Sequence, residues 1–218
     1  MDLSERPAGQ AKLVGGRLCL DFINSVGGRK VDPSAKKKAV EDAIIRADKL
    51  REYADLLAWS LHAGLLTEAE AARLLRDSNQ RQKEAASVFE RALALREAIW
   101  RICRAVVNQM PPHQSDLDLL YQELAIAHGR VRLAAGEKYF VWEWTDTKNS
   151  LDRMLWLVAD SAAEYLTTGD LKRLRECGGD DCGWLFEDTS RNRSRQWCDM
   201  QDCGNLAKVR RFRSRLRA

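Results

Sequence analysis

The chain has no run of about eighteen uncharged apolar residues, so no helix of it is expected to cross a bilayer. Its opening, MDLSERPAGQAKL, lacks the apolar core of a secretory leader, and the expected compartment is therefore the cytoplasm. Proline and glycine are scarce, 4 and 13 among 218 residues, which excludes collagen-like and low-complexity chains. Histidine is scarcer still: His62, His113 and His128 are scattered, and no nucleophile stands beside a matching base. Neither a Walker loop nor a dinucleotide fingerprint occurs, and an enzyme is not expected. The repeated VGGR at 14–17 and 26–29 reads equally as a phosphate-binding nest or as two glycine turns. Without an export signal, the 6 cysteines are read first through metal binding, redox chemistry or burial, not as disulfides.

What remains is globular, with 45% hydrophobic and 31% charged residues, and long enough for one ordinary domain and a small module. Positive charge is concentrated at one end. From Thr189 to Ala218 there are nine Lys or Arg against two acids, Asp199 and Asp202. That stretch carries +7 of a total of +4, which leaves −3 for the rest. Such a concentration suits a polyanion, nucleic acid ahead of an anionic membrane surface.

Up to about residue 168 the apolar periodicity is helical. Leu50, Tyr53, Leu57 and Leu61 lie on one face, with Gly64 placed as a C-terminal cap. Thr67 and Glu70 have the spacing of a capping box and should open a second helix. The longest seam, Val88, Phe89, Ala92, Leu95, Ile99, Ile102 and Val106, predicts a central bundle helix from about Gln80 to Asn108. Pro111 and Pro112 end that region, and Ser115 is placed to cap the next helix. Between Val131 and Trp144 the period changes to two, which predicts a short hairpin. Helical spacing returns from Leu151 to Tyr165 and stops near Gly169. The expected architecture is mainly α: a helical bundle over 1–169 with a small β-hairpin insertion, then a treble-clef-like zinc module over 170–218.

Cys177, Cys182, Cys198 and Cys203 form two Cys-x4-Cys-Gly halves separated by fifteen residues. Four thiolates at tetrahedral corners suit a structural zinc ion, Zn2+, and a segment this polar needs metal binding to supply its missing folding free energy. An iron–sulfur cluster is the alternative, although the x4 loops differ from ferredoxin runs. Gly183 and Gly204, each following the second sulfur of a pair, are expected to let the backbone turn its amides onto the thiolates. Cys19 and Cys103 lie in apolar runs and read as core. Between the ligand pairs, Trp184 and Phe186 alternate as on a strand, and a hairpin crowned by arginines is expected. Arg191, Arg193 and Arg195 would point the same way if that segment is extended, gripping successive phosphates. The final segment predicts a helix capped by Asn205, with Leu206, Val209, Phe212 and Leu216 seated on the metal knuckle. Lys208, Arg210 and Arg211 on its other faces complete the candidate DNA contacts.

The stretch CGWLFEDTSRNRSRQWCDMQDCGNLAKVRRFRSR resembles the CGNR zinc-finger family, and the upstream LCLDFINS resembles the opening of its companion, the ABATE domain. The resemblance implies a bacterial, stress-linked transcription regulator. Its partners are then expected to be double-stranded DNA, with a small-molecule effector and, by analogy with other bacterial regulators, a homodimer. The alternative from another class is an RNA-binding or protein-interaction adaptor built on the same finger. Leu206 departs from the family's naming motif, which has Arg after Cys-Gly-Asn. Asp21 and Asn24 stand in the ABATE-like motif, with Ser25 where Thr is usual, and are candidates for a ligand pocket or for caps on the backbone.

Overall fold

The computed structural model describes residues 2–30, 44–145 and 148–216. Seven helices and three two-stranded antiparallel hairpins make up its regular structure. Helices α1 (Leu18–Ile23), α2 (Tyr53–His62), α3 (Glu68–Gln80), α4 (Gln82–Val107), α5 (Gln114–His128) and α6 (Arg153–Thr168) form the bundle. Helix α4 is its axis, and Ala92, Leu95, Ile99 and Ile102 pack with Leu20 and Phe22 of α1, Leu56 and Trp59 of α2, and Leu155, Val158 and Ala162 of α6. Cys19 and Cys103 are buried in the same core.

The local signals act where they were read. Gly64 adopts φ +75° just after α2, and Thr67 and Glu70 form both halves of the capping box on α3. Helix α5 differs in detail. It begins at Gln114 with His113 at the N-cap, so Ser115 lies inside the first turn and caps nothing. Strands β3 (Val131–Ala135) and β4 (Phe140–Trp144) form the expected hairpin.

Strands β1 (Val26–Lys30) and β2 (Ile44–Asp48) were not foreseen. Glycines at 27 and 28 and the charges of Arg46 and Asp48 hide their alternation. The hairpin is fastened to α4 by two buried arginines. Arg29 of β1 pairs with Glu97 at 2.5 and 3.0 Å and lies 4.5 Å over the Trp100 ring. Arg96 of α4 reaches back to Asp48 at 2.8 and 2.6 Å. Buried pairs of this kind add little net stability but fix register, because a shifted strand would leave a charge unpaired. Strands β5 (Leu174–Glu176) and β6 (Leu185–Glu187) form the third hairpin, and α7 (Asn205–Arg215) closes the described chain.

Candidate metal centre and its basic helix

The turn joining β5 to β6 carries the first pair of cysteines. Cys177 follows β5, its amide donates to the Trp184 carbonyl at 2.8 Å, and Cys182 sits just before the chain re-enters β6. Gly183 takes φ +57° at this reversal, where an added Cβ would lie 2.7 Å from the Arg29 Cβ. The second pair is built differently. Cys198 precedes a wide helical turn, Met200–Gly204, that carries Cys203 and runs directly into α7. Gly204 is therefore helical, at φ −64°, and the two halves are not copies of one reversal.

Thiolates about 2.3 Å from a tetrahedral ion lie about 3.8 Å apart. Here the Cys182–Cys198 and Cys198–Cys203 sulfurs are 3.6 and 3.7 Å apart, and all four lie within 4.8 Å of one another. That spacing encloses one ion and leaves no room for a cluster with its own sulfides, so the donor set fits structural zinc. The Cys198 amide donates to the Cys177 sulfur at 3.3 Å. Hydrogen bonds from the Cys182 and Cys198 thiols, with that amide, hold Cys177 well below the ordinary thiol range. The same hydrogen bonds push Cys182 and Cys198 up, and burial does so for Cys203; a bound cation is what would let all four ionise together.

The metal module is completed by the N-terminal segment, not by α7. Trp184, Phe186, Cys177 and Cys198 share a small core with Val26, against which Val14 and Ile45 pack. The Arg29 amide donates to the Cys182 carbonyl at 2.8 Å, the Trp100 indole to Gly183 O at 3.1 Å, and the Trp184 indole to Val26 O at 3.1 Å. Gly28 is required at this contact, since a Cβ there would stand 2.5 Å from the Asp181 carbonyl. The glycines of both VGGR repeats thus serve close packing: the Glu187 amide donates to Gly15 O at 2.8 Å.

Asn24 is buried and clasps β6, donating to Leu185 O at 2.8 Å and accepting from its amide at 3.1 Å. Asp21 accepts from the Gly15 amide at 2.7 Å, and burial pushes its carboxyl up to about 6. Asn24 thus ties α1 to β6, while Asp21 braces the backbone at Val14 and Gly15 beside it. Neither lines the cavity under the β3–β4 strands or the groove beside Cys182 and Cys203.

The arginine loop is not the crown of a hairpin, because the cysteines occupy that turn. Residues 188–198 fold around Asp188, which accepts from Ser190 and from the Arg195 amide, and Arg193 adopts φ +50°. Arg195 faces inward. Its guanidinium lies 4.3 Å over Phe186 and donates to the Trp197, Val14 and Cys198 carbonyls. Arg191 and Arg193 are exposed, the latter 3.2 Å from Asp170. Lys208, Arg210 and Arg211 are exposed on α7, with Arg210 paired to Asp180. Asn205 does not cap α7, since the helical turn before it is continuous; its amide donates to Gln201 O instead. Leu206, Val209, Phe212 and Leu216 are 57, 45, 64 and 71% exposed, so the apolar stripe is not seated on the knuckle.

Sequence reasoning overlooked Arg29 and Trp100, which hold the knuckle from below. Trp100 carried no signal beyond its place beside the α4 seam, while Arg29 ended the second VGGR repeat.

Comparison with known families bears on this geometry. The model for ABATE, described as "Putative stress-induced transcription regulator", matches residues 16–169. The chain belongs to the ABATE family. The model for the CGNR zinc finger matches residues 173–216, the stretch that holds all four clustered sulfurs of this ABATE protein, and their arrangement is consistent with Zn2+ binding. Among curated proteins none matches the chain. Both ABATE and CGNR are regulatory or zinc-binding types, and the protein is a zinc-binding regulator.

Elemental analysis of the purified protein should find one zinc per chain, and Cys198→Ser should lower that content several-fold; wild-type protein free of zinc would contradict the assignment. Asp21 gives a second expectation. In the folded chain it keeps its proton to about pH 6, whereas unfolded it loses it near 3.8, so this residue's contribution to stability falls as pH rises through that window. Asp21→Asn stays neutral throughout. Urea titrations should show the variant gaining on wild type between about pH 4 and 6, by at most about 3 kcal/mol, and no further above that. A constant difference would mean that Asp21 is ionised in the fold.

Proposed function

We propose that this ABATE protein is a cytoplasmic transcription regulator that binds double-stranded DNA through the zinc-stabilised finger, with the helical domain sensing an effector. Helix α7 carries the reading: its eleven residues include Lys208, Arg210, Arg211, Arg213 and Arg215, and none is buried. At 1.5 Å per residue such a helix is about 16 Å long, and a major groove about 12 Å wide admits it. A basic helix rooted in a metal centre, with its side chains in solvent, has what phosphate binding requires. The exposed pairs Arg210–Asp180 and Arg193–Asp170 are weak and yield readily to phosphate. The contact set is therefore Arg191, Arg193, Lys208, Arg210 and Arg211, while Arg195 is a positioning residue. Leu206 offers no phosphate contact where the family motif has Arg.

The uncovered stripe on α7 supports a homodimer, with Leu206, Val209 and Phe212 of one copy against those of the other. Two fingers would then meet adjacent sites on one duplex.

With a fluorescent duplex, log affinity against log [KCl] should have a slope of about −4 to −5, given five contacts at about 0.9 each. Lys208→Ala and Arg211→Ala should each flatten it by about one, whereas Arg195→Ala should lower stability before it changes the slope. A flat salt response, or tighter binding to structured RNA than to duplex, would overturn the DNA reading. Sedimentation equilibrium should show a dimer that Phe212→Ser converts to monomer; a wild-type monomer at every concentration would remove the dimer from the proposal.

A further inference from the structure

The β3–β4 hairpin has one wholly apolar face and one mixed face, where Ala134 and Val141 lie beside Arg132 and Glu143. Val131, Leu133 and Ala135 pair with Trp144, Trp142 and Phe140 on the first. Arg132 and Glu143 form a 2.8 Å ion pair on the second. In a sheet that covers a core, the apolar face would be the buried one. Here Leu133, Phe140 and Trp142 are 57, 72 and 74% exposed. The hairpin overhangs a cavity of about 500 Å³ in place of a core, lined by Val131, Trp142 and Trp144 from the strands and by His128 and Asp160 from α5 and α6.

The chemistry of the lining is specific. Trp144 stacks on the buried Trp156 at 5.8 Å and 25°, which makes a rigid aromatic wall. The Trp156 indole N–H has no hydrogen-bond partner among the described residues. Trp142 offers a second, exposed ring to the cavity. Asp160 is the one acid of the lining, half-exposed and 3.6 Å from His128 Nε2. A volume of this size is that of a small-molecule site, with apolar walls and one or two polar groups to orient the guest. Arg130 already lies 5.7 Å over the Trp156 ring, so the faces that line the cavity are those of Trp142 and Trp144; indole faces are negative at their centres, and with the Asp160 carboxylate they favour a cation that keeps an apolar body.

We infer that the overhang is an effector site for an apolar organic cation, an aryl or alkyl ammonium held between Trp142 and Trp144 with its charge toward Asp160. The inference rests on the reading of the helical domain as a sensor, and gives that sensor a place and a ligand class.

The test is fluorescence titration of the full-length, zinc-loaded protein with phenyltrimethylammonium, its neutral isostere tert-butylbenzene, and benzoate. Saturable quenching is expected with the cation, at least tenfold tighter than with either control. Asp160→Asn, which keeps the shape and removes the charge, should weaken the cation tenfold and leave tert-butylbenzene unchanged. Trp142→Ala, at an exposed position, should weaken both while zinc content stays at wild type. Equal affinity for the neutral probe, preference for benzoate, absence of saturation, or an unaltered Asp160→Asn would each overturn the inference. So would self-association lost in Trp142→Ala without any probe, since a second copy would then be the occupant. Duplex affinity measured on the same samples separates the two readings: loss of probe binding with duplex binding intact sinks only this site, and the reverse sinks only the DNA proposal.

Discussion

The finger depends on four sulfurs drawn to one point. Without a central ion their thiolates would repel one another, and the roughly forty residues around them bury too few apolar side chains to hold a shape. The ion closes a turn between β5 and β6 at one end and starts α7 at the other, so two segments fifteen residues apart become one unit. Yet the small core beside it is shared. Val14, Val26 and Ile45 come from the other end of the chain, and without them Trp184 and Phe186 would face water. Metal and N-terminal segment are both needed, which makes the finger less a pendant module than the last layer of the whole fold.

Most of the bundle was legible because its signals are local. A capping box at Thr67, a glycine at 64 and a seam from Val88 to Val106 each act within a few residues of where they stand, and tertiary packing agrees with them. The clustering of the four cysteines was legible for a similar reason, since their spacing and their chemistry point to one use. Long-range pairing was not. Strands β1 and β2 are joined through residues outside the described chain, and their inward side chain at Arg29 is a charge, not a hydrophobe. Nothing in the string VGGRK announces that its arginine is buried against a glutamate sixty-eight residues away.

The arginines of the finger show the same limit. Alternation of Arg191, Arg193 and Arg195 promised one row, but a single buried carboxylate reorganised the loop. Asp188 gathers Ser190 and the Arg195 amide, turns the chain at Arg193, and sends the third guanidinium inward over Phe186. Likewise the stripe on α7 was sound as a pattern and wrong as a contact, since Leu206, Val209, Phe212 and Leu216 stay exposed. Amphipathicity shows that a face will be covered; it does not say by what.

Charge explains why this arrangement suits a polyanion. The terminal stretch has only two acids, Asp199 and Asp202, and Lys12 meets both, at 2.6 and 2.5 Å. Arg17 takes Glu187 at 2.8 Å, and Arg46 takes Asp181 at 3.0 Å. Individually such partly exposed pairs contribute little to stability. Together they turn Asp181, Glu187, Asp199 and Asp202 toward bases from earlier in the chain and, apart from Arg210 on Asp180, leave the bases of α7 in solvent. Docking thus sorts the charge as well as holding the fold. A finger released from that surface would expose its acids beside its own arginines and lose part of its field, so the same contacts that complete the core also set the potential that a phosphate backbone would meet.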